Sequence, residues 1–374
     1  MAKHLHIVSF DVPYPADYGG VMDVFCKVKA LHEIGIAVHL HCFEYGKGEQ
    51  KELEKYCEEV HYYQRKEGHK GFSLQLPYIV ASRNDESLWQ RLNADQHPVL
   101  FEGVHCTYGL TSGAVKKKNI AIRLHNVEHE YYHQLGKWET SIVRKAYMHH
   151  ESRLLKRYEE KLKDYIILAI SEDDAKAYKK QFKANQIIHF PAFVPNTLVT
   201  SKEGKGNFVL YHGNLSVAEN EKAAIWLLQN VFTKIRKPFV IAGKKPSKRL
   251  QKLAALCEHA SLIANPIESE LNDLIRKAHI NVLPYFNKNV TGIRLKLLHA
   301  LFEGRHCVVN EPMTRGTGLE AACHTGTTAN AFASIIEQLY HQPFTQEEIL
   351  LRKKLLGDNY DNEKNTRQLI QYLY

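Results

Sequence analysis

The segment TGIRLKLLHALFEGRHCVVN, Thr291–Asn310, opens with a glycine, continues as a basic amphipathic helix and runs straight into a strand. A helix start presents unpaired backbone N–H groups and the positive end of a macrodipole, so a diphosphate is a natural ligand there. Arg294 and Lys296 add charge at the same place. Taken alone, the pattern is equally that of a solvated first turn, so its meaning rests on the chain around it.

Upstream of it, short runs rich in Val, Ile and Phe alternate with helix-period segments, the signature of a parallel sheet wrapped by helices. The first series of strands is expected at Leu5–Phe10, Ala37–Phe43, Val99–Phe101, Ile120–Leu124 and Tyr165–Ile170. A second series follows at Phe208–Tyr211, Phe239–Ala242, Ser261–Ala264, Ile280–Leu283 and Cys307–Val309. Between them PAFVPN, Pro191–Asn196, and the polar SKEGKGN read as an interdomain linker. The fold class expected is α/β, with two Rossmann-like doubly wound domains facing across a cleft. Their spans are 1–191 and 192–357, with a C-terminal helix over 358–374 that packs back toward the N-terminal domain through Leu369, Ile370 and Leu373. In such sheets ligands sit beyond the carboxyl ends of the strands, which makes the cleft the expected site.

A length of 374 residues suits two such domains, and 44% hydrophobic with 24% charged residues is ordinary globular composition, excluding fibrous or disordered chains. The net charge of +9 suits phosphate-bearing ligands, nucleic acid or an anionic membrane surface without choosing among them. Seven cysteines without a CxxC pair argue against a disulfide framework, and MAKHLHIVSF lacks the apolar core of a signal peptide, so a cytoplasmic location is expected. No apolar run is long enough to span a bilayer.

After the first strand, DVPYPADYGG, Asp11–Gly20, precedes Val21, Val24, Phe25, Val28, Leu31 and Ile34 at helical spacing. Gly19 and Gly20 let the backbone approach a ligand closely at a helix start, although a turn that needs glycines for its own sake reads the same way. The loop is neither a Walker A nor a GxGxxG sequence, which removes the main support for kinase and dehydrogenase readings. In RLHNVEHEYY, Arg123–Tyr132, His125 falls just past a strand, where an imidazole can meet a sugar hydroxyl or a phosphate oxygen. His125, Glu128 and His129 do not form the HExxH arrangement, and with 22 histidines chance pairs are expected, so no metal site is assigned. Glu128 reads instead as a first-turn residue of the next helix. Further on, YHGNLSVAENEKAAIWLL, Tyr211–Leu228, repeats strand, glycine loop and helix, Lys244 and Lys245 lie at a strand end, and Asn265 and Pro266 form a loop that could line a base pocket.

In this order PYPADYGG, RLHNVEHEYY, HGNLSVAEN, ANPIESELNDLIRKAHINVLP and GIRLKLLHALFEGRHCVVN resemble the motifs of the GT-B glycosyltransferases, specifically the retaining nucleotide-sugar enzymes of family 4. The likeness covers nearly the whole chain, and its last member matches that family's Gly-x-Lys-x-Lys-x-Leu-Glu-Ala helix. It implies transfer of a hexosyl group from a nucleotide diphospho-sugar with retention, without cofactor and without a metal assisting departure, helix starts and basic residues stabilising the diphosphate instead. By position, Gly19 and Gly20 would approach phosphate or acceptor and His125 the transferred sugar. Lys296 and Arg294 would hold the diphosphate, Gly292 and Ile293 would supply backbone N–H groups, and Asn265, Pro266 and Ile267 would meet the base. Gly213, Asn214 and Lys244 complete the donor side.

The chain departs from the family pattern in two places. Where many members have two glutamates on the signature helix it has Thr291 and His299, and where they carry an Arg and a Lys after the second domain's first strand it has Asn214 and Asn220. Arg315 in NEPMTRGTGLE is a substitute cation. The expected activity is a glycosyltransferase acting on a glycan or lipid-linked acceptor in surface polysaccharide synthesis, with no nucleic-acid partner. The alternative is a catalytically silent GT-B protein that binds a nucleotide-sugar or a protein partner. A separate expectation is peripheral contact with anionic lipid at the inner face of the membrane through Lys137–Lys163, with Arg144, Lys145, Arg153, Lys156 and Arg157. The competing reading is a surface helix whose cations pair with Glu151, Glu159 and Glu160.

Overall fold

The computed structural model describes residues 3–139, 141–286 and 294–374. They form two compact units, the first comprising residues up to Pro195 together with Tyr360–Tyr374, and the second 196–286 with 294–359. In the first unit the chain runs β1 (His4–Ser9), α1 (Gly19–Glu33), β2 (Ala37–Glu44), β3 (Glu59–Gln64), α2 (Tyr78–Ala81), α3 (Glu86–Asn93), β4 (Val99–Glu102) and α4 (Tyr108–Thr111). It continues β5 (Ile120–Leu124), α5 (Glu128–Trp138), α6 (Ile142–Glu160), β6 (Ile166–Ala169), α7 (Glu172–Phe182) and β7 (Gln186–His189). The seven strands lie in the order β3-β2-β1-β4-β5-β6-β7, paired in parallel throughout. The strand order reverses between β1 and β4, so their carboxyl ends open the crevice that such sheets use for ligands.

The second unit repeats the plan. It runs β8 (Val209–Asn214), α8 (Ala218–Trp226), β9 (Phe239–Lys244), α9 (Lys248–Ala255), β10 (Ala260–Ala264), α10 (Glu268–Lys277), β11 (Ile280–Leu283) and α11 (Leu295–Glu303). Then come β12 (His306–Val309), α12 (Glu311–Thr314), β13 (His324–Thr325), α13 (Ala329–Tyr340) and α14 (Gln346–Asn359). The strand order is β10-β9-β8-β11-β12-β13, with the reversal between β8 and β11. The last helix, α15 (Asn362–Leu373), belongs to the first unit. It packs against α1 and buries Leu369, Ile370 and Leu373, while the Asn362 side chain exchanges hydrogen bonds with the Val194 backbone at 3.0 and 2.7 Å.

Central strands are buried, as a sheet covered by helices demands, and Leu5, Ile7, Leu40, Leu100, Leu124, Val282 and Val308 supply their apolar packing. Three strands went unanticipated, namely β3, β7 and β13, and each is a sheet edge. Asp358 lies in the last turn of α14, not at the start of the terminal helix. Residues Ala192, Phe193 and Val194, read as linker from sequence, are buried in the first unit's core. The span Lys137–Lys163 is the end of α5 plus α6, and two of its supposed surface carboxylates turn inward. Glu151 accepts the Tyr78 N–H at 2.8 Å, and Glu159 accepts the Glu128 N–H at 3.0 Å.

One face of β1-β2 carries histidine where a core residue is usual. The register sets His6 beside His39 and His41 beside His61, and alternation puts His4, His6, His39, His41 and His61 on the same side. His4 stacks on His39 and His97, His6 Nδ1 lies 2.9 Å from His41 Nε2, and His6 Nε2 meets Asp95 at 3.0 Å. Burial lowers the proton affinity of His6, to about 4, against the opposing pull of Asp95 and with help from the charges of His39 and Lys117. His41 and His97 shift the same way for the same reason. These groups bind protons in the unfolded chain near pH 6.5 but not in the folded one, so the stability they confer is complete above that value and drains away as pH falls toward 4. Urea unfolding between pH 7.5 and 4.5 is expected to show stability declining by about 1.4 kcal/mol per pH unit for each such proton, and His6→Gln is expected to reduce the slope. An unchanged slope in that variant would remove the histidine face as its source.

Candidate functional site

In the first unit, the carboxyl ends of β1, β4 and β5 bring together Phe10, Glu102 and His125. The Phe10 ring meets His125 edge-on at 5.4 Å and His105 at 5.2 Å. Gly20 is a glycine because of this ring: a Cβ there would lie 2.7 Å from Phe10 Cζ. Gly19 opens α1, whose N-cap residue Tyr18 makes no side-chain cap and donates its hydroxyl instead to Asp11 at 2.7 Å. Lys47 fastens the loop before α1, donating to the carbonyls of Val12 at 3.2 Å and Pro15 at 2.9 Å.

Behind His125 lies a buried ionic network that sequence reading missed. Asp23 and Lys27, one turn apart on α1, are fully buried. Lys27 Nζ donates to Asp23 at 3.0 Å and to Glu102 at 2.5 Å, and the other oxygen of Glu102 accepts from His125 Nε2 at 2.8 Å. Because a carboxylate only accepts, the proton of His125 is fixed on Nε2, and Nδ1 is the atom left for a ligand. Arg123 donates to both oxygens of Asp23 at 3.2 Å and to the carbonyls of Phe190 and Pro191, while the Phe193 N–H donates to Asp23 at 2.7 Å. Burial alone would raise Asp23 and Glu102, but Arg123 and Lys27 beside the first, and Lys27 and His125 beside the second, hold both below the ordinary carboxylate range. Asp23, Glu102 and His125 offer a metal-like triad of ligand atoms, yet the Lys27 ammonium already sits among them.

His129 does not join His125. Its Nδ1 lies 2.5 Å from Glu159 and its Nε2 2.9 Å from Gln181. Glu128 starts α5, and burial together with the charge of Glu159 pushes its carboxyl up to about 8. The signal for the network was present in VMDVFCKVK, where Asp23 and Lys27 stand four apart among apolar helix positions.

In the second unit, the carboxyl ends of β8 and β11 gather Tyr211, His212, Tyr285, Lys296 and His299. Lys296 Nζ donates to Asn220 Oδ1 at 2.8 Å and lies 3.5 Å from the Tyr211 hydroxyl, which in turn donates to the Asn220 carbonyl at 2.8 Å. Arg294 stacks over the Tyr285 ring at 4.3 Å, and the Tyr285 hydroxyl donates to Glu219 at 3.2 Å. The exits of β11 and β12 are tied by Asn310, which accepts from the Tyr285 N–H at 2.9 Å and donates to its carbonyl at 2.7 Å. Burial and the neighbouring Arg294 charge lower Lys296 to about 7, against the weaker pull of Glu219. His299 faces the buried His212 ring at 6.0 Å and lies 3.6 Å from Glu303.

The remaining donor-side candidates are more spread out. Gly213, next to last in β8, lies beside the Asn220 side chain, whereas Asn214 folds its carboxamide oxygen onto Ser216 at 3.1 and 2.7 Å. Lys244 is exposed at the end of β9, and Asn265 accepts the Lys245 N–H at 2.8 Å. Pro266 is buried, and Ile267 is exposed with its N–H donated to Glu270 at 3.0 Å. Arg315 is drawn to Glu311 at 2.6 and 2.7 Å. Thr291, Gly292 and Ile293 lie outside the described residues. Tyr211, Glu219 and Tyr285 were not singled out by sequence reading.

Two parallel-sheet α/β units, each with a switch-point crevice, constitute the GT-B architecture of glycosyltransferases, and solved glycosyltransferase structures superpose on the whole chain. Sucrose-phosphate synthase from Thermosynechococcus elongatus aligns with a TM-score of 0.71 at 13% identity, covering 99% of this chain and 98% of that one. A point variant of S. aureus TarM, in complex with fondaparinux, alpha-GlcNAc-glycerol and UDP, aligns at 0.68 and 11% identity over 100% of both chains. WaaG, a glycosyltransferase involved in lipopolysaccharide biosynthesis, aligns at 0.63 and 11% identity over 99% of each. In sequence, the chain is 28% identical over 341 residues, 85% of each chain, to an uncharacterized 44.6 kDa protein in the cps region of Klebsiella pneumoniae. No family model matches the chain.

The buried network makes a direct prediction. Lys27→Met strips the ammonium from between Asp23 and Glu102, and unfolding in urea is expected to show a loss of about 3–5 kcal/mol, the cost of an uncompensated buried charge. Adding Glu102→Gln is expected to restore part of it. A single variant as stable as the parent would show that Lys27 does not neutralise the pair.

Proposed function

We propose that this protein is a retaining, metal-independent glycosyltransferase that moves a hexosyl group from a nucleotide diphospho-sugar to a glycan or lipid-linked acceptor in surface polysaccharide synthesis. The observation that carries the reading is Lys296. It is a partly buried lysine on the first turn of α11, its hydrogen-bond partners Asn220 and Tyr211 are neutral, and Arg294 lies beside it. An amine desolvated in this way is poised for an anion, and a diphosphate arriving at the helix start would restore its charge and meet the dipole of α11. The GT-B fold and the cps-region relative supply the context. His125, oriented by Glu102, would take a sugar hydroxyl on Nδ1. His299 would hydrogen-bond the ribose.

The alternative of a silent binding protein draws on Asn214, whose side chain is closed on Ser216 where relatives of this fold would offer a cation. A silent protein that binds a nucleotide-sugar parts from the transferase at turnover, and one that binds a protein partner parts from it already at nucleotide binding. A panel of UDP-, GDP- and ADP-hexoses in thermal-shift assays is expected to reveal a stabilising donor. With that donor, Lys296→Ala and His125→Ala are each expected to lower transfer by about 10²–10³-fold. Donor binding without transfer in the parent protein would favour the silent reading, and stabilisation by no member would sink the transferase and leave only a silent protein that binds a protein partner. The charge of Lys296 sets a second check. Because the free amine loses its proton above about pH 7, donor affinity should weaken as pH rises from 6.5 to 8.5, by up to about tenfold per unit, and Lys296→Arg should flatten the profile. A flat profile in the parent protein would place the diphosphate elsewhere.

Contact with anionic lipid belongs to the same proposal. Among the described residues no helix is long and apolar enough to cross a membrane. At the start of α6, however, Ile142 and Val143 are 84% and 79% exposed beside Arg144 and Lys145. Flotation with anionic vesicles is expected to carry the protein up, and Ile142→Glu with Val143→Glu to abolish this; equal recovery in neutral vesicles would argue against an electrostatic anchor.

A further inference from the structure

At the β12–β13 edge of the second sheet, His306, His324 and Glu348 converge from three elements. Their ligand atoms all lie within 4.8 Å of one another. Glu348 Oε1 is 3.1 Å from His306 Nδ1 and 3.9 Å from His324 Nε2. In a tetrahedral zinc site with nitrogen and oxygen ligands at about 2.0–2.2 Å, donor atoms stand about 3.3 Å apart, so these spacings bracket what a single ion needs.

The hydrogen bonding shows why the cluster is more than a chance meeting of polar groups. His306 is buried, and its Nε2 lies 3.3 Å from the Gln342 carbonyl. A carbonyl only accepts, so the proton is on Nε2 and the neutral ring turns the lone pair of Nδ1 toward Glu348. That nitrogen makes no hydrogen bond although a carboxylate oxygen lies 3.1 Å away. Two acceptors are therefore held face to face, an arrangement that a cation between them relieves.

Both groups are also braced from behind. Glu348 Oε2 accepts from the Thr345 N–H at 2.8 Å and its hydroxyl at 3.1 Å, which leaves Oε1 for the cluster. The His306 bond to Gln342 does the same for the ring. A ligating imidazole whose other nitrogen donates to a backbone carbonyl, and a ligating carboxylate held by its second oxygen, are the outer supports that metal sites require. Arg352, one turn beyond Glu348, directs its guanidinium to the carbonyls of Leu301, Gly304 and Arg305. Side-chain exposures of 30% at Glu348 and 39% at His324 leave a path for an ion and for water as a fourth ligand.

We propose that His306, His324 and Glu348 form a divalent transition-metal site of the zinc class, with two imidazoles and one carboxylate, clipping β12, β13 and α14 together. The donor set excludes magnesium and calcium, which take oxygen ligands, and favours an ion that accepts imidazole. The site lies apart from the residues assigned to sugar transfer, and it stands or falls without them.

The test uses the full chain stripped with a chelator and titrated with Co²⁺, whose visible absorption reports a low-coordinate nitrogen and oxygen site, followed by displacement with Zn²⁺. One such equivalent is expected in the parent protein, together with a rise in Tm on adding Zn²⁺. His324→Ala and Glu348→Gln alter partly exposed groups, and the glutamine keeps an oxygen to accept from Thr345. Each is expected to weaken the site at least tenfold and to cancel the Zn²⁺-induced rise in Tm, while the metal-free Tm changes little. His39→Gln, in the histidine face of the first sheet, serves as the control and should leave the signal intact. Absence of the Co²⁺ band in the parent protein, a band unaffected by both substitutions, or a band lost only with His39→Gln would each overturn the proposal.

Discussion

The first unit depends on one buried carboxylate. Asp23 accepts from Arg123 on β5, from Lys27 one turn along its own helix and from the Phe193 N–H where the chain leaves the unit. An unpaired charge at such depth would cost several kcal/mol, so the strands and α1 can close on one another only in the arrangement that satisfies it. The same constraint reaches the candidate site. Lys27 must find a second acid, Glu102 provides it, and the remaining oxygen of Glu102 orients His125 at the carboxyl edge of the sheet. The stability of the unit and the direction of its most suggestive imidazole thus arise from one network.

The second unit solves the opposite problem. There a cation is kept short of compensation. Lys296 is offered a carboxamide and a phenol where an acid would neutralise it, and Arg294 stands close enough to depress it further. Such an arrangement is costly for folding. The histidine-rich edge at β12 and β13 has the same character with the sign reversed. Lone pairs there face one another where a proton or a cation would be expected.

Much of the architecture was legible in the residues because central strands and amphipathic helices must carry their burial in their own pattern. Ile120–Leu124 and Ile280–Leu283 coincide with the expected strands, since both are fully buried and apolar apart from one polar residue each, Arg123 and Asn281. Of the four sheet edges, β10 was read at Ser261–Ala264 and the other three were illegible. In β3, EVHYYQ is mostly half-exposed, and β13 is only His324–Thr325, so neither needed an apolar run, and each pairs with a neighbour that no local pattern announces. Reading His39 and His41 as ordinary strand residues likewise concealed that β1 and β2 align them with His6 and His61.

What the sequence determined by itself was the class of fold and the places where chemistry could gather. The alternation of apolar strands with 3.6-period helices leaves few packings, and glycine or histidine just past a strand falls at the carboxyl edge in all of them. What tertiary structure decided was partnership. His125 could have joined His129, yet the fold sends one to Glu102 and the other to Glu159. Asp23 and Lys27 could have been a surface pair, yet burial makes them the anchor of a unit. The physical reason is that a side chain's charge, tautomer and ligand preference are set by groups within a few ångströms, and here those groups come from positions as far apart in sequence as Asp23 and Arg123.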